Sequence, residues 1–359
     1  MQQPESNRTL ARAVSAGPRV ALARWICSSP DASDGGGQGA DRIDWLRVVP
    51  FIAMHVACVG VLWVGVSSIA VWTATGLYAL RMFALTGFYH RYFAHKAFKT
   101  SRAVQFGFAL LGATCVQRGP LWWAAHHRDH HRHADTEHDI HSPLRHGFLW
   151  SHMGWFLTAR AFRTRWESIG DLQRYGELRW IDRYDIAVPA LLALALFLLG
   201  HWVGAAFPAS GTSGAQLLVW GFFVSTVVLF HATVTINSLA HRFGTRRFAT
   251  RDNSRNNWLL ALLTFGEGWH NNHHHFPGSA RQGFRWWEVD LTYYLLQLLA
   301  ACGVIWDLKP VPAGLVRAAS GHGLRSSRSG DVGERVGTHA GQRSRRIVSS
   351  AASAGRGAP

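Results

Sequence analysis

Two stretches of the chain concentrate histidines at spacings that suit a metal site. WWAAHHRDHHRH (122–133) contains HRDHH, and HNNHH follows at 270–274. Positions i, i+3 and i+4 of a helix share one face, so each stretch presents three imidazoles together. A single cluster of this kind could also be a pH-sensing surface or a result of compositional bias. The same spacing occurs twice in this chain, which favours a metal site. The two sets are His127, His130 and His131, and His270, His273 and His274.

FYHRYFAHK and TINSLAHRFG add further candidate ligands. His90 and His95 stand five residues apart, about 140° on an ideal helix, so they reach one site only if the helix ends or unwinds between them. Asn237 and His241, at i and i+4, share a helical face. Neutral imidazole suits Fe, Zn, Cu and Ni. Nine histidines exceed what one ion uses, so the sequence predicts two ions.

Acidic residues lie among these histidines, and a metal-bound histidine commonly donates its other ring N–H to a carboxylate. The candidates, for which loop solubility is the alternative, are Asp129, Asp135, Glu137, Asp139 and Glu267. We expect solvated or interfacial positions for His55, His201, His231, His322 and His339. Hydrogen-bonding or surface roles are expected for His126, His133, His138, His141, His146, His152 and His275.

The composition indicates a membrane protein. Of 359 residues, 48% are hydrophobic and only 16% are charged, against roughly 25% charged in soluble proteins. The 17 Trp and 20 Phe suit aromatic belts at membrane interfaces. The net charge of +16 is attributed to cytoplasmic flanks and a basic tail. Nucleic-acid binding is not expected, since no organised basic face with stacking aromatics is found. Four scattered cysteines argue against a disulfide framework or an iron–sulfur cluster.

Four apolar stretches reach the roughly 20 residues that span a bilayer, at about 48–68, 70–89, 186–207 and 215–235. Buried helices of a soluble protein are the alternative, but the stretches form two pairs with turns that lack Lys and Arg. Basic residues concentrate at 90–185 and after the fourth stretch, so the positive-inside rule places both termini and that segment in the cytoplasm. Residues 103–117 are too short to span and are predicted to form an interfacial or re-entrant helix.

The predicted fold is an all-α integral membrane protein, with four transmembrane helices in two hairpins and a cytoplasmic helical cap that holds the histidines. Residues 1–42 and 318–359 are rich in Gly, Ser and Arg without periodicity and are predicted to be disordered tails. One membrane domain then occupies 43–317. No apolar segment with a cleavage site is seen near the N-terminus, so a signal peptide is not expected.

HRYFAH, HRDHH and HNNHH, placed after the second apolar stretch, before the third and after the fourth, resemble the three histidine boxes of membrane fatty-acyl desaturases. The pattern is most similar to the Δ9, stearoyl-CoA-desaturase-like branch. GPLWWAAHHRDHHRHADTEHDIHSP, GFLWSHMGW, NSLAHRFG and GEGWHNNHHHFP also resemble that branch, and the likeness covers about 45–312. Ala125-His126 replaces an Arg-Asp pair that contacts coenzyme A in the animal enzymes, so the chain looks more like the bacterial type, an inner-membrane protein.

The resemblance implies a di-iron centre with O2 as co-substrate and with Asn237 bound to one iron through a water. The implied histidine ligands are His90, His95, His127, His130, His131, His241, His270, His273 and His274. The implied reaction introduces a cis double bond, at Δ9 by analogy, into a saturated C16 or C18 acyl chain. Such C–H bonds are not acidic, so the protein must position and bend the chain against an oxidant rather than supply a base.

An apolar tunnel below the cap is implied for the acyl chain, with candidate lining residues Tyr78, Met82, Trp122, Trp123, His126 and Trp155. Met82, two turns before His90, is interpreted as a limit on chain length that favours C16. Acyl-CoA, acyl-lipid and acyl-carrier protein are alternative substrates. Five cytoplasmic arginines are candidates to bind either the phosphates of coenzyme A or anionic lipid headgroups: Arg118, Arg145, Arg160, Arg163 and Arg165.

The sequence contains no HPGG segment of a fused haem domain, so electrons are expected from a separate ferredoxin-, rubredoxin- or flavoprotein-type partner. Two other functions are alternatives for this histidine-rich sequence: a di-iron alkane or lipid hydroxylase with the same boxes, and a histidine-rich membrane metal transporter or sensor. The NSLAH and GEGWHNNHHHFP context favours desaturation over hydroxylation. Transporters carry polar ligands at mid-membrane, whereas here the ligands gather at the cytoplasmic ends of nearly apolar spans.

Overall fold

Helices make up nearly all the regular structure of the computed structural model, which describes Cys27 and residues 42–315. The predicted tails, 1–42 and 318–359, lie outside the described residues apart from Cys27 and Arg42. In chain order the helices are α1 (Trp45–Cys58), α2 (Val61–Val64), α3 (Ser68–Phe83), α4 (Arg102–Ala113), α5 (Pro120–His133), α6 (Pro143–His146), α7 (Gly176–Arg183), α8 (Ala187–Ala206), α9 (Gly214–Gln216), α10 (Ser225–Ser238), α11 (Trp258–Leu263), α12 (His270–His275) and α13 (Leu291–Ala301).

Three π-helical segments interrupt or extend these helices: Ala84–Ala94 continues α3, Leu217–Val224 joins α9 to α10, and Trp150–Gly154 follows α6. Short 3₁₀ turns complete the connections, at Trp155–Leu157, Ala159–Phe162, Trp166–Ser168 and Pro208–Ser210. The only regular sheet among the described residues has two antiparallel strands, β1 (Lys99–Thr100) and β2 (Ile305–Trp306). This pairing fastens the segment after α13 to the segment that follows the Ala84–Ala94 helix.

Three described stretches are long and apolar enough to cross a membrane: Ser68–Ala94, Ala187–Ala206 and Gly214–Ser238. They coincide with the second, third and fourth predicted spans. The first predicted span, 48–68, is shorter than expected, because the apolar helix covers Val48–Val64 and is broken between α1 and α2. At 1.5 Å per residue it reaches about 26 Å. The four-span hairpin arrangement therefore remains a prediction.

The outer faces of these helices are apolar. α3 and α8 pack against the Leu217–Val224 segment, while Trp63, Trp72 and Trp202 are 78%, 74% and 59% exposed. Large exposed apolar side chains at this density are typical of contact with lipid or of interfacial belts. The membrane part therefore has its polar groups turned inward.

A buried arginine lies among those inward polar groups. Arg81 of α3 donates from Nη1 to Thr226 Oγ1 of α10 (2.7 Å) and to the Thr114 carbonyl (3.2 Å). A second nitrogen, Nη2, donates to Ser225. An arginine inside a membrane span is tolerated only when such partners surround it, so these bonds tie α3 and the end of α4 to α10.

The π-helical segment Ala84–Ala94 explains how His90 and His95 share a site. The His95 N–H donates to the His90 carbonyl over 3.1 Å, an i→i+5 bond instead of the usual i→i+4 bond. Widening the turn brings residues five apart onto one face, and the two ring centroids lie 4.8 Å apart. The sequence predicted that the helix ends or unwinds between His90 and His95; instead it continues and widens into a π-helix.

The start of α5, which carries the HRDHH stretch, is fixed from another element. Asp182 of α7 accepts from the backbone N–H groups of Leu121 (3.1 Å) and Trp122 (2.8 Å), which have no partner within the helix. Gly119 is required beside this carboxylate, because a Cβ there would overlap Asp182. Pro120 suits the first helical position because its missing N–H is not needed. Burial raises the pKa of Asp182 to about 6 despite these donors.

We predict that Gly112→Ala destabilises the cap. Helix α4 crosses the π-helical segment at Gly112, where an added Cβ would overlap the ring of the fully buried Tyr89, the neighbour of His90. Overpacking of this kind costs about 1–3 kcal/mol. The expected result is a lower midpoint of thermal unfolding in detergent, together with less bound metal per chain.

Gly107→Ala is the matched control, since it lies in the same helix and has no atom within 4 Å of an added Cβ. This change replaces glycine by alanine inside a helix, which is neutral or stabilising by up to about 1 kcal/mol. Equal unfolding midpoints for the two variants would show that the Gly112–Tyr89 contact is not tight.

Candidate metal centre

Five histidines from three elements turn the same ring nitrogen toward one point. The Nε2 atom of His273 lies 3.0 Å from Nε2 of His90 and 2.9 Å from Nε2 of His131. The Nε2 atom of His127 lies 2.8 Å from that of His95 and 3.0 Å from that of His131. All five candidate ligand atoms are within 4.8 Å of one another. We call this set the five-histidine group.

A second set, the four-histidine group, comprises His130, His241, His270 and His274, whose ligand atoms also lie within 4.8 Å of one another. The Nε2 atoms of His241 and His270 are 3.0 Å apart. The two groups are neighbours, since the ring centroids of His131 and His274 are 4.4 Å apart. The structure thus assembles all nine predicted histidines into two convergent sets.

Each histidine-rich stretch divides its members between the two groups. In α5, His127 and His131 join the five-histidine group while His130 joins the other. In α12, His273 joins the five-histidine group, whereas His270 and His274 join the other. The i, i+3, i+4 spacing therefore places three imidazoles on one face, as predicted, but this face spans both sites. That division is set by how α5 and α12 meet.

Carboxylates contact Nδ1, the ring nitrogen that faces away from the groups, in several of these histidines. Nδ1 lies 2.9 Å from Asp135 in His241, 2.9 Å from Asp252 in His274 and 3.2 Å from Asp139 in His130. Glu267 pairs in the same way with His90. A carboxylate at Nδ1 accepts a hydrogen bond from the ring N–H there, so the lone pair of the neutral ring is at Nε2 and faces the group.

The carboxylates predicted for this role divide into two kinds. Asp135, Asp139 and Glu267 contact candidate ligands. Asp129 instead pairs with Arg165 and lies 3.4 Å from His133 Nδ1, and Glu137 is exposed. Asp252 was missed by the sequence analysis, because it stands in a loop without any neighbouring histidine in the sequence.

Glu267 belongs to a buried ionic network that was also missed. The guanidinium of Arg91 lies 3.2 Å from Glu267 and 2.9 Å from Asp290, and Arg91 and Asp290 are 1% and 0% exposed. Arg91 immediately follows His90, whereas Glu267 precedes α12. The network therefore joins the π-helical segment to α12, and the positive charge of Arg91 offsets the cost of burying two carboxylates.

Burial favours the neutral form of several interior imidazoles. It lowers the pKa of His127, His131 and His273 well below the ordinary value, and the neighbouring imidazoles lower it further. Burial also lowers the pKa of His274 to about 4, although Asp252 opposes the shift. Neutral imidazole is the form that binds a metal.

The nitrogen geometry fits a first-row metal ion. A metal–nitrogen bond of about 2.1 Å puts two ligands at right angles about 3.0 Å apart, the separation found between the Nε2 atoms of both groups. Nδ1 of His274 donates to Asp252, and the buried Nε2 of the same ring has no hydrogen-bond partner among the described residues. A bound cation would satisfy that lone pair, so the donor set suits the predicted ions.

An apolar cavity of about 690 Å³ reaches the metal centre from the membrane part. It follows the Leu217–Val224 segment and α10 from Phe222 to Asn237, and α1 and α8 contribute further walls. His127, a member of the five-histidine group, and Asn237, the predicted water-mediated ligand, both line it. An apolar chain inside this cavity would thus lie against the candidate ligands.

Four of the six residues predicted to contact substrate line this cavity: Trp122, Trp123, His126 and Trp155. Their rings are held in place. Trp122 Nε1 donates to the Ala161 carbonyl (2.7 Å) and its ring stacks on Trp155 with centroids 6.0 Å apart. Trp123 stacks on the ligand candidate His127 at 5.0 Å. These rings form a rigid wall next to the five-histidine group.

Tyr78 and Met82, the other two, are not among the residues that line this cavity. Tyr78 donates from its hydroxyl to the Leu263 carbonyl at the end of α11 (2.6 Å). Met82 is fully buried in the main core, against the π-helical segment that continues its own helix. The cavity lies on the side of α10, so the face of α3 that carries these residues packs elsewhere.

The predicted headgroup arginines differ in their surroundings. Arg118 lines the cavity and pairs with Asp185 (2.5 Å), and Arg165 pairs with Asp129. Arg145 is exposed and donates to the Asp135 carbonyl. Arg118 and Arg165 therefore already face a carboxylate, which reduces the positive charge that they offer to a phosphate.

The fold and the site define a helical membrane protein in which a polyhistidine cap closes one end of an apolar cavity. The sequence model of the family described as "Fatty acid desaturase" matches residues 66–305. The chain belongs to this fatty acid desaturase family.

Individual relatives agree with this assignment. The chain is 36% identical over 281 residues, covering 75% of it and 83% of the relative, to an acyl-CoA 5-desaturase of Anemone leveillei. It is 35% identical over 277 residues to an sn-1 stearoyl-lipid 9-desaturase of Anabaena variabilis, covering 75% and 94% of the two chains. A hex-5-enoyl-[acyl-carrier protein] acetylenase of Moorena producens is 35% identical over 290 residues, covering 76% and 87%.

We predict that Asp252→Asn weakens metal retention. The amide can no longer hold the Nδ1 proton of His274 as a carboxylate does, and loss of such a partner lowers metal affinity about 10- to 100-fold. The measurement is metal bound per chain during titration with a chelator. Asp307→Asn is the matched control, because Asp307 pairs with Lys99 on the exposed surface (2.8 Å). Equal retention in both variants would contradict the role of Asp252.

Proposed function

We propose that this protein is an O2-dependent desaturase that introduces a cis double bond into a saturated fatty-acyl chain. The observation that carries the proposal is the cavity, which His127 and Asn237 line in a chain of the desaturase family. The proposal places the acyl chain so that its side, and not its methyl end, lies against these candidate ligands. That placement suits reaction at an internal methylene pair.

Two iron ions are assigned to the two histidine groups, one to each. The ion of the four-histidine group would have Asn237, one helical turn before His241, as a further ligand through a water. Bound iron supplies, together with O2, the oxidant that an unactivated C–H bond requires. Asp135, Asp139, Asp252 and Glu267 orient the imidazoles, so that each Nε2 lone pair faces its ion.

The walls of the cavity position the substrate. Trp122, Trp123 and Trp155 are held by stacking and a hydrogen bond, so they restrict the acyl chain to one path past His127. Because these rings are fixed, a bound acyl chain is held in one orientation, and the same methylene pair lies at the metal centre in each turnover. The methyl end of the chain is assigned to the deep end of the cavity, near Phe222.

The double bond is assigned to Δ9 of a C16 or C18 chain. Support comes from the resemblance to the Δ9 branch and from a relative named as an sn-1 stearoyl-lipid 9-desaturase. A relative named as an acyl-CoA 5-desaturase shows that position and carrier vary within this similarity range. The carrier is therefore left as acyl-CoA or acyl-lipid. Electrons are assigned to a separate protein donor.

The protein is assigned to the cytoplasmic membrane, with the cap and both termini in the cytoplasm. Basic residues between the second and third spans, and after the fourth, support this orientation. The exposed tryptophans Trp63, Trp72 and Trp202 lie on the other end of the helices from the histidines, as expected for the opposite interface.

Expression in a host that lacks unsaturated acyl chains tests this function. We expect a cis double bond between carbons 9 and 10 in the recovered lipids, located by mass spectrometry. His130→Ala should abolish the product, while His138→Ala, exposed in the same segment, should not. Hydroxylated products, or none from an iron-loaded preparation, would contradict desaturation. Undiminished turnover of His130→Ala would contradict its ligand role.

A second prediction tests the cavity. Ala193 of α8 lines its deep part, so Ala193→Phe should block the methyl end of longer chains and lower the ratio of C18 to C16 products. Ala195→Phe is the matched control, because Ala195 is exposed on the same helix. The measurement is the product distribution from mixed substrates. An unchanged ratio in Ala193→Phe would show that the chain occupies another space.

A further inference from the structure

Four exposed arginines lie on the surface next to the four-histidine group. One belongs to α6, and the other three belong to the loop that joins α10 to α11. That loop begins beside a ligand candidate of the group, and it also carries a carboxylate that holds a second one. We call the four residues the arginine surface: Arg145, Arg242, Arg246 and Arg251.

A short path of hydrogen bonds joins this surface to His274. Nη2 of Arg246 donates to the Asp252 carbonyl over 2.7 Å, and the Asp252 carboxylate accepts from Nδ1 of His274 over 2.9 Å. Arg251 immediately precedes Asp252 in the chain. Only one residue therefore separates the exposed guanidinium of Arg246 from a ligand candidate of the four-histidine group.

A second path of the same kind leads to His241. Nε of Arg145 donates to the Asp135 carbonyl over 3.2 Å, and the Asp135 carboxylate accepts from Nδ1 of His241 over 2.9 Å. The same carboxylate accepts from the backbone N–H of Asn253 (2.8 Å), so it ties the two loops together. Arg242 immediately follows His241 in the chain. Both paths end on the four-histidine group.

The positive charge of the arginine surface is not neutralised. None of its guanidinium groups has a carboxylate partner among the described residues, and within 134–142 and 239–257 the one exposed carboxylate is Glu137. The exposed cations beside the five-histidine group differ, because Lys96 pairs with Asp171 (2.8 Å) and Arg132 lies 3.6 Å from Asp129. Unpaired positive charge is thus concentrated over one of the two groups.

An exposed aromatic ring lies within this charge. Phe243, next to Arg242, is 57% exposed. Phenylalanine and arginine are both enriched at protein interfaces, where an apolar centre is surrounded by a polar rim. The composition of the arginine surface therefore suits a protein partner with negative charge.

The ligand candidates themselves are out of reach of such a partner. The side chains of His241 and His274 are each 1% exposed, so electrons from outside must cross protein to arrive at them. The paths through Asp135 and Asp252 provide bonded routes for that crossing. Anionic lipid headgroups would match the charge alone, whereas an acidic redox protein matches the charge and uses the bonded routes.

We propose that the arginine surface docks an acidic one-electron carrier protein over the four-histidine group. The proposal rests on the proposed desaturase function. Formation of one double bond breaks two C–H bonds and the O–O bond of one O2, and it releases two waters. Two hydrogens of those waters come from the substrate and two are protons from solvent. The two electrons that balance these protons come from the carrier, which must therefore dock twice per double bond.

The test is the binding of an oxidised plant-type [2Fe–2S] ferredoxin, an acidic one-electron carrier, to the protein in nanodiscs of neutral phosphatidylcholine. Arg242→Glu combined with Arg251→Glu should weaken binding at least about 10-fold, because like charges then face each other. Wild-type affinity should fall as salt is raised. Arg174→Glu combined with Arg179→Glu is the matched control, since both arginines are exposed near α7 and the charge change is the same.

Bound metal and the unfolding midpoint should be equal in the two double variants. If the first one unfolds, Arg242→Gln combined with Arg251→Gln replaces it, with a smaller loss of affinity expected. Equal ferredoxin affinity in the variant and the control would overturn the proposal, as would an affinity that does not depend on salt. A wild type that forms double bonds but does not bind ferredoxin would overturn it as well.

Nanodiscs that contain phosphatidylglycerol distinguish a lipid from a protein partner. If the arginine changes abolish stabilisation by this lipid and leave ferredoxin binding intact, the surface binds headgroups and the proposal is wrong. Binding of the oxidised carrier does not require turnover, so it is measured separately from the reaction. A protein that binds ferredoxin through this surface but forms only hydroxylated products would contradict desaturation and support the docking surface.

Discussion

The structure depends on the bond between a carboxylate and the Nδ1–H of a buried histidine. A neutral imidazole carries one N–H, and fixing it at Nδ1 is what leaves the Nε2 lone pair inside the group. Asp135, Asp252 and Glu267 do this for members of both groups. A buried carboxylate is costly unless it is paired, so the interior needs further partners such as Arg91. Without these bonds the N–H of each ring could stand at either nitrogen, and the Nε2 lone pairs would not be fixed toward the groups.

Local departures from ideal helix geometry lie where this constraint is strongest. The π-helical turn brings His95 onto the face of His90, and Asp182 fixes the first turn of α5 so that its histidines point at α12. The π-helical turn gives up regular α-helical hydrogen bonds for side-chain direction, whereas Asp182 accepts from first-turn N–H groups that have no partner within the helix. The Arg91 network then connects the π-helical segment to the residues before α12. Three separate elements are thereby held in register before any ion binds.

The histidines of the candidate site could be predicted because their spacing is local. An i, i+3, i+4 pattern needs only a helix, so HRDHH and HNNHH identified six of the nine. Their division between two groups depends on how α5 and α12 meet, and Asp252 has no local signal at all. The same reason hid the contacts that join His55, His231 and His152, since nothing near these residues in the sequence shows that they touch. Among the apolar stretches, length predicted three spans well, but it could not reveal the break between α1 and α2.

Helix α10 shows why the cavity and the metal centre constrain one another. Ser225 and Thr226 hold Arg81, His231 contacts His55 and His152, and Asn237 lines the cavity. These polar groups belong to the apolar stretch Gly214–Ser238 and have partners inside the protein, because a polar group turned to lipid would be left without one. A rotation of α10 that improved one of them would displace the others. The polar positions of this helix are therefore fixed as a set, and substitutions at any of them are expected to act on more than one feature.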